Sequence, residues 1–248
     1  MKTRIFSALL FLFVFAGCTK DEVDQLISRI PSNTELSTEE IIAGLKSALN
    51  VGTDTSVSLL NKQDGYYQDL AVKILLPPEA QVIYTKISEI PFGNELLEET
   101  ILKLNRAAED AAIEAKPIFI NAITGITITD GLSILNGNDS AATSYLKTRT
   151  FTPLTDAFQP KIDAALGKKI IGDVSASSAY DKLVSAYNTA SLNGLLFERI
   201  TTNTLSEHVT KRALDGLFLK VAEEEKAIRH DPIARVTDIL KKVFGNKK

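Results

Sequence analysis

The sequence predicts an all-α protein, a single multi-helix, bundle-like domain that follows an N-terminal export segment. Three observations carry this. Apolar residues recur at three- and four-residue spacing along most of the 248 residues, which is the signature of helices with one buried face. Helix-start chemistry recurs, as Ser or Thr followed three residues later by Glu, or Thr followed by Pro. Strand-prone runs are confined to Ile126–Thr129 and Ile170–Val174, both bounded by helix signals and both read as connections.

Taken in order, Ser37-Thr38-Glu39-Glu40 has capping-box form, and Ile41, Ile42, Leu45, Ala48 and Leu49 follow on one face. Gly52 through Thr55 reads as a break before Val57–Leu60. Pro78 suits a first helical position. From Asn94 to Gly125, Leu97, Ile101, Leu104, Ala108, Ala111, Ala115, Ile118 and Ala122 form a seam of period 3.5. Arg106, Glu109, Asp110 and Ile113 are expected to point away from that seam, and Pro117 lies off it. Thr129 is expected to start a helix to Asn136, and Asn138-Asp139 another over Ala141–Thr148. Thr152-Pro153 then reads as a fresh cap and first-turn proline. Tyr180, Leu183, Val184 and Tyr187 mark one further amphipathic face. Thr204-Leu205-Ser206-Glu207 opens a helix to about Arg229, and Asp231-Pro232 opens a last one ending at Gly245.

The first 18 residues are of another kind. Lys2 and Arg4 precede an apolar run from Ile5 to Ala16, which is too short for a permanent span of about 20 residues but suits a secretory signal. The run ends at Ala16-Gly17-Cys18, and Cys18 is the sole cysteine. This resembles the bacterial lipobox, with Phe15 where that motif prefers Leu. The resemblance implies cleavage before Cys18 and diacylglycerol on its sulfur, with a further acyl chain (palmitate or similar) at the new N-terminus. Two or more chains give stable anchoring where one does not. The expected organisation is therefore a signal at 1–17, a lipidated tether at 18–36 and a helical domain at 37–245. Thr19 stands where some bacteria place an inner-membrane retention aspartate. Lys20-Asp21-Glu22 looks like a short charged export signal. Both favour the outer membrane, on its periplasmic face or at the cell surface.

Composition excludes several classes. One cysteine leaves no disulfide framework and no cysteine-based metal site. A formal charge of −3, falling to −5 once Lys2 and Arg4 leave with the signal, argues against a nucleic-acid partner. The two histidines, His208 and His230, form no zinc motif. Neither a GxSxG elbow, a Walker A loop nor a GxGxxG turn occurs, so no cofactor, metal or catalytic residue is assigned. Asn136-Gly137-Asn138-Asp139 lacks the acidic spacing of a calcium loop and reads as a turn before a helix cap. Lys241, Lys242, Lys247 and Lys248 complement the dipole of a final helix.

Four stretches carry a resemblance to a known family: NRAAEDAAIEAKPIFINAI (Asn105–Ile123), ILNGNDSAATSYL (Ile134–Leu146), ALDGLFLKVAEEEKAIRHDPIARVTDILKKVFG (Ala213–Gly245) and Lys73-Ile74-Leu75-Leu76-Pro77. Together they resemble the bacterial lipoproteins grouped as domain of unknown function 4197. The resemblance implies a mostly helical, exported lipoprotein and brings no catalytic residues with it.

One polar constellation stands out. On a helix from Glu207 to Arg229, Glu225 falls on the same stripe as Leu214, Leu217, Phe218, Val221 and Ile228, and a carboxylate facing a core needs a partner. Arg229, four residues on, is placed to supply it. Arg106 and Glu109 are candidates to extend that network. A structural ion pair is the expected role, with a polar spot in a ligand groove as the sharper alternative. The functional expectation is a membrane-tethered binding or structural module with an envelope partner. The alternatives are a hydrolase that uses carboxylates and a helical carrier of an apolar ligand.

Overall fold

The computed structural model describes residues 36–86, 93–171, 174–190, 195, 199–200, 205–231 and 243. Cys18 and the tether, the Thr204 cap, the last helix and the terminal lysines lie outside these residues. Residues from Ser37 onward form one compact unit.

Helix α1 (Thr38–Asn61) starts as expected. The Ser37 amide donates to the Glu40 carboxylate at 2.9 Å, and Ser37 Oγ accepts from the Glu40 amide at 3.2 Å. The break expected at Gly52–Thr55 is absent, and α1 runs straight through. Thr53 and Ser56 turn their hydroxyls back onto the carbonyls of Leu49 and Gly52, both at 2.7 Å, so these polar residues sit buried without ending the helix. At Gly52 a side chain would meet the Cβ of Glu224 at 3.4 Å, so the glycine serves a close helix crossing.

A long irregular segment follows, through Asp64 in the left-handed region (φ 67°), and sends Tyr66, Val72, Ile74 and Leu76 into the core. Pro78 begins a 3-10 turn, Pro78–Ala80, before the short α2 (Ile83–Lys86). Helix α3 (Gly93–Ala111) passes through a 3-10 turn, Ala112–Glu114, into α4 (Ala115–Thr124). The predicted seam therefore holds only as far as Ala115. The tighter turn precedes Pro117, which cannot donate to the carbonyl four residues back. It changes the phase, so Phe119 and Ile123 are buried while Ile118 and Ala122 are only partly covered.

Helix α5 (Ile128–Asn136) is capped by Thr127 with Asp130, two residues earlier than expected. Helix α6 (Ala141–Leu166) is continuous for 26 residues, so Thr152-Pro153 is no helix start. Pro153 and Pro160 both lie on its exposed side, where water can serve the carbonyls they leave unpaired, while Leu146, Leu154, Phe158 and Ile162 fill the core. Ile170–Val174 is more than a connection. Lys169–Ile171 and Val174–Ser175 pair as a small antiparallel ribbon, β1 and β2, in an otherwise helical body. Helix α7 (Ala176–Ala190) buries Tyr180, Leu183, Val184 and Tyr187, as expected. Helix α8 (Leu205–His230) packs on α1 and α6, and α3 packs on α6 and α7. No described helix is long and apolar enough to cross a membrane by itself.

Candidate functional site

Only two charged residues are buried among the described residues, Glu225 and Glu109. Each is the centre of a separate polar junction.

Glu225 projects from α8 at the start of α6. One carboxylate oxygen accepts the Ala142 amide at 2.9 Å, and the other accepts the Thr143 amide and hydroxyl, both at 2.8 Å. A helix start leaves its first amides unpaired and carries partial positive charge. The Ser140 side chain makes no capping bond there, so the carboxylate of α8 does the capping from outside. The expected pairing with Arg229 is present. Its guanidinium donates to Glu225 through Nε at 3.0 Å and Nη2 at 2.8 Å. Nη2 also donates to the Ile134 carbonyl at 2.8 Å, and Nη1 reaches the Leu135 carbonyl at 3.5 Å. Those are carbonyls in the last turn of α5, the negative end of a helix. One buried ion pair thus satisfies the end of α5 and the beginning of α6 together. The turn between those helices is held by Asn138 Oδ1, which accepts the Ser140 amide at 3.1 Å, and by Asp139 against His230 at 2.7 Å.

Beneath Glu225 lies a void of about 20 Å³, walled mainly by Leu45, Ala48, Leu49, Gly52, Val221 and Ile228. That is the scale of one water molecule.

Arg106 and Glu109 do not join this junction. Glu109 was expected to face outward but is 2% exposed, because the segment after α1 folds over that side of α3 and gives the helix a second buried face. One of its carboxylate oxygens accepts the amides of Tyr66 at 3.1 Å and Tyr67 at 3.2 Å, and the other takes Arg106. Arg106 also reaches Asp64 at 2.7 Å, with the Tyr67 ring beneath it. Partial burial opposes the guanidinium charge, but the bonds to Glu109 and Asp64 prevail and hold its pKa above the ordinary arginine value.

The sequence reading missed Asn105, Tyr66 and Asn188. Asn105 is fully buried and grips Ile74 both ways, taking its amide at 2.8 Å and donating to its carbonyl at 2.8 Å. Asn188 does the same to Ile200, at 2.9 and 3.1 Å. Tyr66 donates its hydroxyl to the Ala213 carbonyl at 2.8 Å, and burial pushes its pKa strongly up. An asparagine immediately beside the α3 seam was the available signal for Asn105. Nothing local marked Tyr66.

His208 Nε2 lies 2.9 Å from the Leu75 carbonyl, and burial pulls its pKa below the usual histidine value. Among the described residues no three acidic, histidine or cysteine side chains are placed to hold a metal ion.

These contacts wire together the stretches that carried the family resemblance. Asn105 binds Ile74, Tyr66 binds the start of the C-terminal stretch at Ala213, and Glu225 and Arg229 bind Ile134–Thr143. No curated protein and no solved structure matches the chain. A family model described as a protein of unknown function (DUF4197) matches residues 35–245, nearly the whole body built by these junctions, and the chain belongs to that family.

Proposed function

We propose that the protein is a lipid-tethered helical module of the bacterial envelope, held by acyl chains at Cys18 and acting through binding or structural contact with another envelope component. The observation that carries this reading is the use to which the buried carboxylates are put. Glu225 accepts five hydrogen bonds and Glu109 accepts from two amides and a guanidinium. The donors on each carboxylate are the fold's own amides, hydroxyl and guanidinium, so both side chains are used to join its elements. A general acid or base must instead reach a substrate proton. The void beside Glu225 is also far below the several hundred Å³ of a small-ligand site, which weighs against an apolar carrier at that position.

The anchor supplies the address and the body supplies the surface. The test is the variant Cys18→Ser, expressed in a bacterium that processes lipoproteins. The wild-type chain is expected in washed membranes, with a mass that includes the diacylglyceryl and acyl groups. The variant should lack that mass and leave the membrane fraction. Wild-type material with a free thiol, or a variant retained at wild-type levels, would refute the lipid anchor. Crosslinking from the body in intact cells then identifies what it contacts.

A further inference from the structure

Eleven large apolar side chains are substantially exposed among the described residues, and four of them, Ile113, Ile120, Ile128 and Leu132, fall within twenty residues of sequence. They are 39 to 49% exposed. They lie on the outer sides of the 3-10 turn, α4 and α5, beside exposed Pro117, Asn121, Thr124, Thr127, Thr129 and Ser133. From Ala115 to Ser133 the chain carries just two charged residues, Lys116 and Asp130. Neither is free. Lys116 is paired with Asp54 of α1, and Asp130 is bound to the amide and hydroxyl of Thr127 as a helix cap. Exposed aliphatic side chains on a segment with few charges of its own, bordered by Lys46, Asp54 and Arg149 of other helices, are the composition of a contact surface.

The first turns of α1 lie against this same region. Ile42 sits where a side chain at Gly131 of α5 would be, and Lys46 donates to the Thr124 carbonyl at the end of α4 at 2.8 Å. The chain joins the body at Ser37, one turn ahead of Ile42. Eighteen residues separate Cys18 from Ser37, a reach of at most about 60 Å.

We propose that the outer faces of α4 and α5 rest on the bilayer that holds the Cys18 anchor, with Ile120, Ile128 and Leu132 at the boundary between headgroups and acyl chains. The occupant is a lipid surface. Four partly exposed aliphatic side chains are too few to hold a free protein on a membrane. They suffice for a tethered one, because a tether of eighteen residues keeps the second contact at an effective concentration in the millimolar range. The inference rests on the lipid anchor proposed above, and its test is separable from it.

The protein contains no tryptophan, so one introduced indole reports a single position. Ile120→Trp, Ile128→Trp and Leu132→Trp are compared with Lys182→Trp on the exposed side of α7, which packs on α3. Each full-length acylated chain is placed in phosphatidylethanolamine–phosphatidylglycerol vesicles with and without brominated acyl chains, after its helical content is verified. The expected result is blue-shifted emission, quenched by the brominated lipid, at the three face positions, with unshifted and unquenched emission at position 182. Water-exposed emission at all three face positions, or equal quenching at 182, would overturn the proposal while leaving the anchor intact. If the native chain proves to be unacylated, the anchor reading fails. The same variants, coupled to a maleimide lipid through their sole cysteine, still read the face.

Discussion

Glu225 illustrates what one side chain can settle. Its two oxygens face amides, a hydroxyl and a guanidinium, all of them donors. In Glu225→Gln one acceptor becomes an NH2 group directed at other donors, and Arg229 loses the carboxylate that it meets at 2.8 Å. Breaking a buried pair from one side is expensive, so a loss of about 3 kcal/mol is expected in urea or thermal unfolding. An unchanged midpoint would mean that the carboxylate is not the partner described. His208 gives a prediction with a defined sign. Burial lowers its folded pKa, so between that value and the unfolded value of about 6.5 the unfolded chain binds more protons. Its contribution is therefore whole above about pH 6.5 and is lost as the pH falls through that window. His208→Gln, whose amide can still reach the Leu75 carbonyl, should flatten stability against pH below about 6.5. An identical pH profile for the two proteins would contradict this assignment.

At the scale of elements, local signals fixed identity better than extent. Ser37 and Glu40 specify the start of α1 because the capping box is closed among neighbours in sequence. Gly52 and Pro153 looked like boundaries and are not, for a shared reason. Each has a cost that the surroundings offset, Gly52 through close packing against α8 and Pro153 by facing water from the outer side of α6. The end of the seam after Ala115 is a matter of phase. A single 3-10 turn ahead of Pro117 shifts the buried positions from Ile118 and Ala122 to Phe119 and Ile123. The crossing of α5 over α1 depends on Gly131, where a methyl group would meet Ile42 Cδ1. Gly131→Ala should accordingly cost up to about 1 kcal/mol net, because displacing the tip of the buried Ile42 side chain outweighs alanine's better helix propensity. If Gly131→Ala melts above the wild type, the close approach is wrong.

Across the whole molecule, the two polar junctions do complementary work. Glu225 and Arg229 tie α8 to the α5–α6 turn, and Asn105, Arg106 and Glu109 tie α3 to the segment after α1. They share no residue. Both orient elements that apolar packing alone would leave free to slide, since hydrophobic burial is non-directional. Part of the surface left over is a face on α4 and α5 with four exposed aliphatic side chains on or beside it and few charges of its own. The tether proposed at Cys18 would bring that face within reach of a bilayer.

The sequence alone determined the helical class, the starts of α1 and α6, the Glu225–Arg229 pair and the family. All of these depend on residues within about one turn of each other or on local pattern. Tertiary structure alone decided that Glu225 caps a helix 82 residues away, that Glu109 faces inward, and that Asn105 and Tyr66 are structural. A helix shows its own apolar stripe in its sequence. Which further face becomes buried is set by the segment that folds across it, and the chain's linear order does not encode that neighbour locally.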